Sequence, residues 1–104
     1  MPINTAIAAH RSEVRDLCRH YHVQRLDLFG SAARGEDFTE ESDIDFLVEF
    51  EPAFAPPALG DFLGFRAALA QLLGRDVDLT VAGAVRNPFL RRAIEQSLVT
   101  LHGA

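Results

Sequence analysis

Apolar residues recur along the chain with two different periods, and the switches between them mark out the elements. Ile3, Ile7, Val14, Leu17, Cys18 and Tyr21 follow helical spacing, with Arg11, Glu13, Arg15 and Asp16 turned to solvent. That pattern predicts an amphipathic helix over 4–21, with Asn4 or Thr5 as its cap. The period then falls to two. Leu26 and Leu28 alternate with Arg25, Asp27 and Phe29, a strand over 23–29. Gly30-Ser31 breaks it, a short helix opens over 31–34, and Gly35 closes that helix. Ile44, Phe46, Val48 and Phe50 alternate with Asp43, Asp45, Leu47 and Glu49, a second strand over 43–50. The prolines of 51–58 predict a loop whose apolar character suits packing on the sheet edge, closure over a ligand, or contact with a partner.

Helical spacing returns with Leu59, Phe62, Leu63, Leu69, Leu72 and Leu73, one broad apolar stripe over 59–73 that Gly74 stops. Val77, Leu79 and Val81 then alternate with Asp76, Asp78 and Thr80, a third strand over 75–81. Asn87-Pro88 supplies a cap and a first-turn proline for a last helix, whose buried stripe is Phe89, Leu90, Ala93, Ile94, Leu98 and Leu101. The sum is an α/β (α+β) domain over 1–104, with a small mixed sheet of three strands, or four, flanked by about four helices.

The candidate chemistry lies at the junction of the first two strands. Side chains alternate across a strand, so Asp43 and Asp45 project from one face while Ile44, Phe46 and Val48 enter the apolar layer. Two neighbouring carboxylates repel and call for a partner; for hard oxygen ligands that is Mg²⁺ or Mn²⁺. Gly30 lets the backbone approach a ligand closely, and Ser31 offers a hydroxyl and an N–H at a helix start, where anions are favoured. A cation at one end and phosphate oxygens at the other describe metal-assisted phosphoryl or nucleotidyl transfer. Gly, Ser and two Asp at a set spacing arise by chance at about 10⁻⁵ per start position at ordinary residue usage. Asp78 is a charge in the middle of a core strand, and it meets Asp43 and Asp45 if its strand lies beside the second. Asp76, nearer the strand start, is the weaker candidate. Arg34 either pairs with Asp27 or Glu36 or reaches a phosphate; Arg86 is a further candidate contact, and Arg91 and Arg92 read as a solvated face. Cys18 lies on the apolar stripe and reads as a packed thiol. His10, His20 and His22 have no metal-ligand spacing.

Bulk properties narrow the partners. There is one Cys, so no internal disulfide, and no apolar run long enough for a membrane span or a signal peptide, which makes the cytoplasm the expected location. The net charge is −5 and the ten basic residues are all Arg, scattered apart from Arg91-Arg92. That balance argues against nucleic acid as a direct partner and fits a nucleotide neutralised by metal.

Phe29-Gly30-Ser31-Ala32-Ala33-Arg34-Gly35 followed by Ser42-Asp43-Ile44-Asp45 resembles the signature of the minimal nucleotidyltransferases, in the polymerase-beta-like nucleotidyltransferase superfamily. The likeness covers the motif and, more loosely, nearly the whole chain. Eleven residues separate Ser31 from Asp43, one more than the usual pattern, and the extra one falls in the surface loop 36–41. The resemblance implies the nucleotidyltransferase fold. It implies ATP as substrate, with Gly30, Ser31 and Arg34 as nucleotide-binding residues. Asp43, Asp45 and Asp78 become the catalytic and metal-binding residues for Mg²⁺ or Mn²⁺, with Asp78 favouring deprotonation of the attacking hydroxyl. Proteins of this kind are commonly paired with a helical HEPN-type ribonuclease toxin in a hetero-oligomer. There the nucleotidyltransferase is the antitoxin and transfers AMP to a tyrosine of the toxin. The apolar loop 52–57 and the acidic run 36–41 are the candidate partner contacts. Two alternatives stand beside this reading: an antitoxin that neutralises its partner by binding alone, and a small-molecule transferase of the aminoglycoside type, against which the lack of a substrate domain counts.

Overall fold

A computed structural model describes residues 7–30, 33, 43–84, 87–96 and 98–103. In chain order these form α1 (Arg11–His20), β1 (Val23–Phe29), β2 (Ile44–Phe50), a 3₁₀ turn (Pro52–Phe54), α2 (Leu59–Leu73), β3 (Val77–Val81), a second 3₁₀ turn (Ala82–Ala84), α3 (Pro88–Glu95) and β4 (Val99–His102). The strands make one mixed sheet in the order β3-β2-β1-β4. β1 is antiparallel to β2 and β4, while β2 and β3 run parallel. Parallel neighbours cannot be joined by a tight turn, and α2 supplies the crossover between them.

The alternation read from the sequence decides which sheet face is covered. Leu26 and Leu28 of β1, Ile44, Phe46, Val48 and Phe50 of β2, Val77 and Leu79 of β3, and Leu101 of β4 are all buried. They pack with Val14 and Cys18 of α1 and with Phe65 and Leu69 of α2. The opposite face carries Arg25, Asp27, Asp45, Leu47, Glu49, Asp78 and Thr80. Cys18 is fully enclosed, and burial pushes its thiol up to about 12.

Two sequence expectations differ from the structure. The apolar stripe of α2 is not the one expected. Phe65 and Leu69 are buried and Phe62, Leu72 and Leu73 partly so, whereas Leu59 is 72% exposed and Leu63 half-exposed. The helix is apolar around much of its circumference, so spacing alone does not select a face, and the largest side chain that fits the core, Phe65, takes it. The last helix is shorter than expected. Asn87 caps it by accepting from the Phe89 and Leu90 amides, and Pro88 follows in the first turn, as anticipated. It ends at Glu95, however, with Ile94 buried and Phe89 82% exposed. Leu101 then belongs to a fourth strand. The free edge of β1 offers unpaired amides and carbonyls, and the β-branched Val99 and Thr100 satisfy them as β4. The loop after β2 folds back: Phe54 stacks on His22 with ring centres 3.6 Å apart, and His22 Nδ1 lies 3.6 Å from Glu51 Oε2.

Candidate active site

The carboxylates come together because two strands run in parallel register. Asp45 of β2 is the direct partner of Asp78 on β3, and both side chains stand on the face away from the core. Asp45 is also opposite Phe29, the last residue of β1, so it sits beside the turn that follows. Asp43 lies one residue before β2 and is exposed; the neighbouring Ile44 amide donates to the Asp76 carbonyl at 3.0 Å, which stitches the two strand entries together. Asp76 thus lies at the strand entry, while Asp78 stands level with Asp45.

Gly30 closes β1 at φ +73°, a left-handed conformation that side chains disfavour. A Cβ there would lie 2.5 Å from Asp45 Oδ2. The glycine therefore serves two needs at once, turning the chain and leaving room for the carboxylate. Ser31 and Arg34, the other expected nucleotide-binding residues, lie outside the described residues, as do Arg86 and the run 36–41.

The donor set suits a hard divalent cation. Asp45 and Asp78 present oxygen ligands from neighbouring strands, and Asp43 enters from the strand end. Among the described residues no three His, Cys, Asp or Glu side chains converge tightly enough to cage a metal. Mg²⁺ does not require a cage: it is held by one or two carboxylates together with substrate phosphates and water. The arrangement fits that mode.

One feature of this face escaped the sequence reading. Asp27 is only 3% exposed, the sole buried charged residue among those described. Its Oδ2 accepts from Arg25 Nε at 2.9 Å and its Oδ1 from Thr100 Oγ1 at 2.7 Å; Arg25 Nη2 also reaches Thr100 Oγ1 at 3.4 Å. The pairing of Asp27 with Arg34, one of the sequence alternatives, involves a residue outside those described. Arg25 and Asp27, two apart on a strand and so on one face, were a legible signal; Thr100 was not, because its segment read as helix.

Comparison with known proteins agrees with this fold. The profile of the family described as "Nucleotidyltransferase domain" matches residues 11–101. The chain is 40% identical over 96 residues to MJ0128 of Methanocaldococcus jannaschii, named a candidate protein adenylyltransferase, covering 85% of this chain and 94% of that one. It is 32% identical over 94 residues to the protein adenylyltransferase MntA of Thermococcus cleftensis, covering 90% and 88%. A solved structure described as a candidate minimal nucleotidyltransferase superposes with a TM-score of 0.77 at 35% identity, covering 95% of both chains. A tri-AMPylated Shewanella oneidensis HEPN toxin in complex with its MNT antitoxin matches with a TM-score of 0.67 at 21% identity, covering 93% of this chain and 72% of that one, which is a likeness of fold.

Proposed function

Because this chain belongs to the nucleotidyltransferase domain family, among the MntA-like protein adenylyltransferases, we propose that it transfers AMP from ATP to a tyrosine hydroxyl of a HEPN-type toxin and so acts as that toxin's antitoxin. The observation that carries this reading is the Asp45–Asp78 pair in register beside Gly30. The name of the Thermococcus relative supports protein as the acceptor, and the AMPylated HEPN toxin of the Shewanella complex supports its class.

The roles follow from the sequence motif together with the positions of Gly30, Asp43, Asp45 and Asp78. Gly30 and Ser31 bind the triphosphate, and Arg34 of the same motif contacts its phosphates. Asp45 and Asp78, with Asp43 at the strand end, would hold Mg²⁺ together with the substrate phosphates, and the ion would supply Lewis-acid stabilisation of charge on the phosphoryl oxygens. Asp78 orients the acceptor hydroxyl and draws off its proton. The hydroxyl oxygen bonds to the α-phosphorus as the bond to the bridging oxygen breaks, and pyrophosphate leaves with that oxygen. Positioning and electrostatic stabilisation provide most of the acceleration.

The test is incubation of the protein and a candidate HEPN-type partner with Mg²⁺ and ATP labelled on either the α- or the γ-phosphate. Only the α-label is expected on the partner, and Asp45→Asn should abolish it. A stable complex that never takes up label would instead support neutralisation by binding alone, and label on an aminoglycoside but not on the partner would support the small-molecule reading.

A further inference from the structure

Asp78 is exposed, so no packing around its side chain holds the carboxylate in place. Its position depends on the backbone that carries it. β3 is an edge strand, with β2 on one side and no strand among the described residues on the other. In a parallel ladder, successive residues of a strand turn their backbone N–H and C=O groups alternately to its two sides. The Ile44 amide donates to the Asp76 carbonyl, so Asp76 and Asp78 turn their backbone groups toward β2. Val77, between them, turns its carbonyl to the open edge. Val77 is 2% exposed, and a buried carbonyl left without a donor is disfavoured.

The crossover helix α2 supplies that donor. Nε of Arg66 donates to the Val77 carbonyl at 2.8 Å, in a part-buried bond. Among the described residues Arg66 makes no ion pair, so this oxygen is the partner it is placed for. Phe65, next to it in sequence, is fully buried and seats the helix on the sheet. A hydrogen bond with a charged donor is roughly twice as strong as a neutral one.

The carbonyl of Val77 and the amide of Asp78 belong to one planar peptide unit. Arg66 holds that unit from the edge side, while β2 pairs with the strand on the other. The Val77 side chain pins the preceding residue in the core. With the peptide plane held on both sides, the direction in which Asp78 leaves the backbone is held as well, level with Asp45. Groups that take part in a reaction need placement to within about 0.5 Å, and a displacement of about an ångström can cost about 10²-fold in rate.

We propose that Arg66 is a positioning residue for nucleotidyl transfer: through the Val77 carbonyl it sets the backbone of Asp78, and so the place of that carboxylate beside Asp45. This role rests on the reading of Asp78 as a site carboxylate, and the test separates the two. Arg66→Met has no donor, whereas Arg66→Gln drops the charge but keeps an N–H the same number of bonds from Cα. Arg, Met and Gln have similar helix propensities, so both variants of the full chain keep α2. Each is followed by electron paramagnetic resonance of Mn²⁺ with a non-hydrolysable ATP analogue, by α-label transfer to the candidate HEPN-type partner, and by thermal unfolding. Arg66→Met is expected to lower kcat by about 10- to 100-fold with the KM for ATP within twofold, and to weaken Mn²⁺ binding at least threefold. Arg66→Gln should stay within threefold of the unaltered chain in both. Unchanged kcat and Mn²⁺ affinity in Arg66→Met overturn the role, whatever the melting temperature does, and leave Arg66 a cap on the sheet edge. Equal losses in Arg66→Gln overturn it too, since the charge and not the hydrogen bond would then act. An unaltered chain that binds Mn²⁺ with the analogue but transfers no label overturns the choice of acceptor, and the Mn²⁺ affinities of the variants then decide the role of Arg66. An unaltered chain that binds no Mn²⁺ with the analogue overturns the reading of Asp78, and this role with it.

Discussion

At the scale of single residues, Gly30, Cys18 and Asp27 make the sharpest claims. Gly30→Ala adds a methyl group in a left-handed conformation, at a cost of about 1 kcal/mol, and drives it against Asp45 Oδ2. Displacing a reacting group by an ångström can cost about 10²-fold in rate. Transfer is therefore expected to fall by at least that factor in a variant whose melting temperature drops only a few degrees. Full activity in Gly30→Ala would remove the need for the close approach. Cys18 gives a pH prediction. Burial raises its thiol to about 12, so the folded state keeps the proton that an unfolded thiol releases from about 9 upward. A raised pKa contributes stability that is whole below the unfolded value and is lost as pH climbs from about 9 toward 12. In the folded protein near neutral pH, Cys18 should resist iodoacetamide, and in denaturant it should react at the rate of a free thiol. Rapid alkylation of folded protein would contradict its enclosure. Asp27→Ala strands the Arg25 guanidinium and the Thr100 hydroxyl, and should cost about 2–3 kcal/mol of stability by urea unfolding, as for a lost hydrogen-bonded charge. The residues of the Gly-Ser and Asp-x-Asp motif were legible because chemistry restricts them to a few side chains at set offsets. Asp27 was read as an outward-facing strand residue and a candidate partner of Arg34, since its burial depends on a strand seventy-odd residues away.

At the scale of elements, the strands were legible and the helical faces less so. Alternation with period two admits one choice of inward face; β2 and β3 follow it, while β1 carries an irregularity between Val23 and Arg25 and buries Asp27 on its other face. α2 offers apolar side chains on several sides, so its orientation is set by the cavity that Phe65 fills. Phe65→Ala should therefore cost about 3–5 kcal/mol, whereas Leu59→Ala, at an exposed position, should change stability by about 0.5 kcal/mol or less. Equal losses in denaturant melts would restore the stripe expected from spacing. β4 was hidden because Leu98 and Leu101 continue the helical spacing of Ile94; only the open edge of β1 explains why the chain leaves the helix. Gly103 marks where it docks, since a Cβ there would lie 2.6 Å from the Gln24 carbonyl oxygen at φ +87°. Gly103→Ala should loosen the β1–β4 pair by about 1–3 kcal/mol, the usual cost of overpacking, and with it the Thr100 contact to Asp27.

At the scale of the whole molecule, the two faces of the sheet divide the labour. One face is closed by α1 and α2 and supplies cohesion. The other gathers Asp45, Asp78 and the Arg25–Asp27–Thr100 cluster, and leaves them within reach of a ligand. No helix among the described residues is long and apolar enough to cross a membrane. Asp45 and Asp78 stand in register on the face away from the core, so they are placed for chemistry rather than for packing. The most direct measurement takes Asp45→Asn and Asp78→Asn and follows, in the same preparations, α-label transfer to the proposed HEPN-type partner and thermal unfolding without ligand. Transfer should fall at least 10³-fold in each variant while the melting temperature shifts by no more than a few degrees. Transfer that survives either change, or a loss of activity that comes only with a collapse in stability, would contradict the account.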